Sequence, residues 1–166
     1  MAALTFARIT PESPLCAAFA SLMLRYGPEI SAHTERPLTD DMLRGWTQSI
    51  LRQAASPDRL VEVCLDGDTP IGFLYGKIDR EGDRGYIRPD WGYIMEFYVI
   101  PERRREGLGR LMVQRLEAFY AEKAVTRLYL TADPVTGKPF WAAAGYRATG
   151  EVSPENGQEF FEKTLG

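Results

Sequence analysis

The chain has 166 residues, 45% of them hydrophobic and 26% charged, with a net charge of −3. That is enough chain for one domain, residues 1–166, with its own core; it has no polybasic tail for nucleic acid or a membrane surface. It also lacks any apolar run near the roughly 20 residues that span a bilayer, and the N-terminus lacks the apolar core of a signal peptide. Two cysteines, Cys16 and Cys64, stand 48 positions apart without a motif and read as buried thiols of a cytoplasmic protein, although sequence does not exclude their pairing. The only histidine, His33, falls in "SAHTERP" and reads as a solvated loop residue. No metal is therefore expected, since a histidine-rich site is impossible and no spaced Cys/His cluster exists. A Ser-His-Asp or Cys-His triad would have to use His33, and no G-x-S-x-G elbow supports one.

In chain order, residues 4–9 read as a first strand closed by "TPESP", where Thr10 or Ser13 could cap a helix. Leu15, Phe19, Leu22, Met23 and Tyr26 recur at helical spacing, and "GPEISAHTERP" then reads as a loop. Residues 38–54 form a second helix, with Thr39 as its cap and Asp40 and Asp41 favourably placed in the first turn. Residues 59–78 read as a hairpin around Asp66-Gly67-Asp68. A polar, glycine-rich excursion follows over 79–92. Residues 93–100, "YIMEFYVI", form a strand that is apolar except at one position. Leu108, Leu111, Met112, Leu116, Phe119 and Tyr120 mark a third helix, and residues 126–132 another buried strand. A short helix ends at Gly145, which suits a left-handed cap, and residues 158–165 form the last strand. Hairpins mixed with one strand–helix–strand unit imply a mixed sheet with helices on its faces.

The segment "RRREGLGR", residues 103–110, sets arginines beside two glycines at the start of the third helix. Glycine is disfavoured in a helix by about 1 kcal/mol, so two in the first turn point to a backbone role. A helix start exposes unpaired N–H groups and the positive end of the macrodipole. Without Cβ atoms at Gly107 and Gly109 a bulky anion can approach those amides, and Arg104, Arg105 and Arg110 add charge around them. This arrangement suits a phosphate or pyrophosphate, although a solvated basic turn remains open. A Walker loop is excluded because Gly137-Lys138 is followed by Pro139, and a dinucleotide fingerprint because Met112 stands where the third glycine belongs.

"YVIPERRREGLGRLMVQRLEAF" resembles the cofactor segment of the GNAT superfamily of acyl-CoA-dependent N-acetyltransferases. The marks are Tyr98-Val99-Ile100-Pro101 and then [Q/R]-x-x-G-x-[G/A] at Arg104, Gly107 and Gly109. "KPFWAAAGYRATGE" is similar to the family's second segment, and the element order fits the whole chain. The resemblance implies an α/β (α+β) fold with a mixed, largely antiparallel sheet of six to seven strands and helices on both faces. It implies acetyl-CoA as co-substrate, with the pyrophosphate on the loop Arg104, Arg105, Glu106, Gly107, Leu108, Gly109 and Arg110. The pantetheine arm would pair with main-chain groups of Phe97 and Val99, where two central parallel strands splay apart. An amide near Phe97 or Tyr98 would stabilise an oxyanion. The reaction would be direct attack by an amine acceptor, a primary amine of a small molecule or peptide, with no acyl-enzyme. Members are often dimers, so the resemblance allows a homodimer, although no interface can be read from the sequence.

Within this frame Glu96 is the candidate base. Strand alternation places it with Ile94 and Tyr98, opposite Met95, Phe97 and Val99. A poorly paired carboxylate there would rise towards the range useful for deprotonating an ammonium group; an ion pair with an arginine is the alternative. Many relatives carry a tyrosine acid where this chain has Trp141, whose indole cannot serve. Tyr98 is the nearest substitute; a water, or unassisted departure of the thiolate, are the others. Phe140 and Trp141 read as a wall beside the pantetheine or as core packing, and Asp133 replaces an asparagine that often contacts the pantetheine. The acceptor site would come from the first two helices, their loop and the last hairpin. The acidic residues in or beside those loops (Glu29, Glu35, Asp40, Asp41, Asp79, Glu81 and Asp83) read first as solvated surface and second as an attraction for a cationic amine. Trp46 and Trp91 line a pocket or pack. A non-catalytic acyl-CoA-binding module stays open as the alternative function, and an ATP- or NAD-binding protein as a third reading.

Overall fold

The structure is a computed structural model that describes residues 3–32 and 35–166; His33, and with it the loop reading made above, lies outside the described residues. Seven strands form one sheet in the order β1-β2-β3-β4-β5-β7-β6. They are β1 (Leu4–Arg8), β2 (Arg59–Asp66), β3 (Thr69–Ile78), β4 (Gly92–Val99), β5 (Arg127–Ala132), β6 (Arg147–Val152) and β7 (Glu159–Thr164). The helices are α1 (Cys16–Ser31), α2 (Asp40–Gln53), α3 (Leu108–Glu122) and α4 (Gly137–Ala143). The chain divides into two compact units, one of residues 1–75 and 96–112, the other of residues 76–95 and 113–166. Among the described residues no helix is long and apolar enough to cross a membrane.

In the first unit β1 pairs antiparallel with β2, Phe6 opposite Cys64, and the β2–β3 hairpin turns at Gly67 with φ 60°. α2 starts where its cap demands: the Thr39 hydroxyl accepts from the Met42 amide at 3.1 Å, and Asp40 and Asp41 fill the first turn. α1 departs from expectation. Ser13 accepts from the Leu15 amide at 3.1 Å just ahead of it, but the helix runs five residues beyond Tyr26, through Gly27 and Pro28, to Ser31. Proline removes one ladder donor, at a typical cost of about 3 kcal/mol, and the ladder resumes at once, with the Ala32 amide on the Pro28 carbonyl at 3.1 Å. What offsets the loss is tertiary. Gly27 lies so close to the Leu43 side chain of α2 that a Cβ would collide with it, and Glu29 two residues on is ion-paired. The core here gathers Phe19, Met23, Val61, Val63 and Phe73, each fully buried. Of the two cysteines only Cys64 is fully buried; Cys16 is half-buried, its thiol 3.3 Å from the Thr10 carbonyl, and the two do not form a disulfide.

In the second unit β4 pairs parallel with β5 at Gly92↔Leu128 and Tyr93↔Tyr129, and β7 lies antiparallel to both β5 and β6. β6 was not legible as a strand: its residues are mostly exposed, and Gly150, at φ 81°, interrupts the register between Ala148 and Val152. The excursion after β3 is anchored from inside. Asp79, expected on the surface, is fully buried. It accepts from the Arg88 amide at 2.9 Å and from the Tyr129 hydroxyl, and Lys77 Nζ lies 3.1 Å away. The Asp79 main chain closes the loop to Trp91 and Asp90 at 2.9 and 2.8 Å. A buried carboxylate persists only with such partners. Trp91 packs too, with the Arg88 and Arg127 guanidinium groups 4.7 and 4.8 Å from its ring.

Candidate active site

β4 carries a single charge through an apolar strand. Ile94 and Tyr98 are 4% and 3% exposed, and Glu96 shares their face, half-buried. Its partner comes from α1: the Tyr26 hydroxyl donates to Glu96 Oε2 at 2.6 Å. Among the described residues no arginine or lysine makes an ion pair with Glu96, so the alternative of a structural ion pair is not what the strand displays. Burial pushes the Glu96 carboxyl up to about 8, against the lowering effect of the Tyr26 hydroxyl. Desolvation outweighs one hydrogen bond because the carboxyl itself is densely surrounded, even though the residue as a whole keeps some exposed surface. Tyr98 sits beside it, 5.2 Å from the Tyr26 ring and 5.9 Å from Phe73. Burial, and next the nearby Glu29 carboxylate, make the Tyr98 hydroxyl harder to ionise than usual.

Beyond Glu96 the strand has two edges. The Ile100 amide donates to the Ile71 carbonyl of β3 at 3.0 Å, and a Cβ at Gly72 would meet the Tyr98 carbonyl at 2.6 Å. Tyr98 and Ile100 thus present their backbone groups to β3, and by alternation Phe97 and Val99 present theirs to the opposite edge. The Val99 carbonyl accepts from Arg104 Nε at 2.8 Å. Arg104 Nη2 also bonds both oxygens of Glu29 at 2.8 Å, and the guanidinium lies 5.6 Å from the Tyr98 ring centre. Arg25, one turn before Glu29, grips Glu102 at 2.7 and 2.9 Å. Two crossed ion pairs therefore bind α1 to the segment after β4.

The remaining arginines divide by partner. Arg103 donates to Asp66 at 2.6 Å and Glu106 at 3.1 Å. Among the described residues Arg105 and Arg110 have no carboxylate partner, and both are exposed. Arg105 holds φ 66°, unusual for a residue with a Cβ, and Gly107 holds φ 86°. A Cβ on Gly107 would meet nothing within 4 Å, so open space borders the helix start. The Leu111 amide closes the first turn on the Gly107 carbonyl at 3.3 Å, which leaves the amides of Leu108, Gly109 and Arg110 at the free end of α3. Free amides, open space and two guanidinium groups without a carboxylate partner among the described residues are the features from which a polyanion site can be built.

Asp133, Phe140 and Trp141 belong to the second unit. Asp133 Oδ1 accepts from the Val135 and Thr136 amides at 3.0 and 2.8 Å, which commits that carboxylate to the turn before α4. Trp141, 7% exposed, packs at right angles to Phe140 and edge-on to Tyr146, with centroids 5.0 and 5.1 Å away. The Tyr146 hydroxyl donates to Glu117 at 2.9 Å. Tyr26 escaped the sequence reading because its place in the apolar repeat of α1 marks it only as a core position.

Fold and loop together define the class of acetyltransferases. A family model described as the acetyltransferase (GNAT) family matches residues 18–146, and the chain belongs to that family. Among solved structures, an acetyltransferase from Thermus thermophilus is similar over 99% of this chain and 100% of its own, with TM-score 0.72 and 20% identity. The PaiA N-acetyltransferase from Thermoplasma acidophilum, solved in complex with coenzyme A, is similar over 98% and 99%, with TM-score 0.72 and 14% identity. An aminoglycoside 6'-acetyltransferase type Ii is similar over 96% of each chain, with TM-score 0.70 and 17% identity. At these identities the likeness is one of fold. No curated protein matches the chain.

Proposed function

We propose that this chain moves an acetyl group from acetyl-CoA to a primary amine of a small molecule or peptide, by direct attack in a ternary complex with Glu96 as base. The observation that carries the reading is the half-buried Glu96 carboxyl, raised to about 8 and free of any cationic partner among the described residues. The cradle fits coenzyme A. The amides of Leu108, Gly109 and Arg110 and the side chains of Arg105 and Arg110 would hold the pyrophosphate, and the outer edge of β4 at Phe97 and Val99 would take the pantetheine. When bound, acetyl-CoA supplies an acyl group activated as a thioester.

Glu96 receives the first proton. An alkylammonium group near 10.4 gives its proton to a carboxylate of 4.5 at a cost of about 8 kcal/mol, and to one near 8 at about 3 kcal/mol. The raised carboxyl remains about a tenth ionised at pH 7, so the gain in basicity outweighs the loss in charged fraction. A nitrogen–carbon bond forms and the carbon–sulfur bond breaks; one amine proton leaves through Glu96 and a second ends on sulfur. A thiol near 8.5 is a good leaving group without an acid. That suits a site in which Tyr98 is 3% exposed with a hydroxyl that resists ionisation.

The test is a calorimetric titration with acetyl-CoA, followed by thiol release against polyamines, aminoglycosides, amino acids and short peptides. Binding with amine-dependent thiol release supports the transferase and names its acceptor class. Binding without release on any of these amines favours the acyl-CoA-binding module, and no binding overturns the reading of the loop.

A further inference from the structure

We propose that Tyr26 is a positioning residue for the base: by donating to Glu96 Oε2 it leaves Oε1 to receive the acceptor's proton and favours the carboxylate over the neutral acid. The inference rests on the reading of Glu96 as the base. The 2.6 Å contact lies at the short end of the range for a hydroxyl donating to a carboxyl oxygen. Glu96 does not set the tyrosine's position. The Tyr26 ring stands edge-on to Phe73 at 5.5 Å, and Phe73 stands edge-on to Phe19 at 5.1 Å, so a relay of rings ties it to the core. Its neighbours in α1 are fixed as well: Gly27 packs against Leu43, and Arg25 and Glu29 hold the crossed ion pairs to Glu102 and Arg104. The hydroxyl is therefore already in place before any substrate arrives, which is what a positioning group requires.

The titratable groups around the carboxyl are few. Tyr26 faces it from α1 and Tyr75 from β3, while Tyr98 follows on the same face of β4. The Tyr75 hydroxyl is turned to Arg59 of β2, which donates to it. Arg25, Glu29 and Arg104 act on Tyr98. Among the described residues Tyr26 is thus the side chain that donates to Glu96.

Tyr26→Phe keeps the ring and removes only the donor. The acid limb of kcat/KM against pH should move up by about one pH unit, so that kcat/KM at pH 7 falls about tenfold while the alkaline plateau stays near wild type. A merely structural role would lower activity by the same factor at every pH. A second readout needs no substrate: the pH at which the Glu96-dependent stability change levels off, read by urea unfolding of each protein against its Glu96→Gln counterpart, should rise by the same amount. Fluorotyrosine placed at position 26 keeps the packing and makes the hydroxyl a better donor, so it should move the limb down; it decides the matter even where the phenylalanine variant folds poorly. If Glu96→Gln retains wild-type turnover, the base reading itself fails. If Glu96→Gln abolishes turnover while neither Tyr26 variant moves the limb, the base stands and this inference is overturned.

Discussion

Replacing Glu96 by glutamine should stabilise the folded protein at alkaline pH while disabling it. The ordinary carboxyl value of 4.5 applies to the unfolded chain and about 8 to the folded one. Below 4.5 both states carry the proton and Glu96 leaves stability unchanged. Between 4.5 and 8 the unfolded chain ionises first, so unfolding releases a proton and stability falls as pH rises. Above 8 the deficit is complete, about 5 kcal/mol by linkage alone and nearer 2–3 kcal/mol once the residue's remaining exposure is allowed for. Glutamine keeps an acceptor for the Tyr26 hydroxyl and cannot ionise. Urea unfolding of both proteins at pH 5, 6.5 and 8.5 should give near-equal stabilities at pH 5 and a variant ahead by about 2–3 kcal/mol at pH 8.5. Turnover should fall by a factor on the order of 10² to 10⁴ with cofactor affinity intact. A stability difference that does not change with pH would refute the desolvated carboxyl, and with it the reason for choosing Glu96.

Arg110→Ala should weaken acetyl-CoA binding roughly tenfold to a hundredfold in calorimetry, by loss of a charge-assisted contact, and should flatten its salt dependence. Asp79→Asn should destabilise the fold by about 3 kcal/mol in chemical denaturation, because Lys77 Nζ would lose its buried partner and keep only Asp83 at 3.4 Å. Tyr98→Phe should leave kcat within about threefold of wild type; a loss of a hundredfold would make its hydroxyl the proton donor after all.

Where one side chain or one period decides an element, the sequence was a sufficient guide. Thr39 and the acidic pair behind it start α2 where expected, and Asp66-Gly67-Asp68 turns the hairpin. Gly145, at φ 93°, ends the short helix. Where long-range packing decides, it was not. Pro28 reads as a helix breaker, yet α1 continues through it, with Gly27 packed close to Leu43 and Glu29 ion-paired to Arg104. Asp79 reads as a loop acid, since its partners Lys77, Arg88 and Tyr129 meet only in space. At the proposed site, Glu96 stood out as a charge in an apolar strand, and the glycines and arginines after it marked the proposed anion cradle. The division of those arginines, with Arg103 and Arg104 committed to carboxylates and Arg105 and Arg110 without one among the described residues, depends on residues far away in the chain.

The contact between Arg104 and the Val99 carbonyl bears on how selective the strand edge can be. A bare carbonyl at the end of a strand is a template for any extended peptide. Here a guanidinium already occupies it at 2.8 Å while keeping its hold on Glu29. A newcomer at that position exchanges one donor for another and gains only the difference, so a stray peptide with a single hydrogen bond to offer gains little. Net affinity goes to a ligand long enough to engage the edge of β4 and the start of α3 together. Admission at Val99 is therefore competitive, and length of reach rather than stickiness decides what enters.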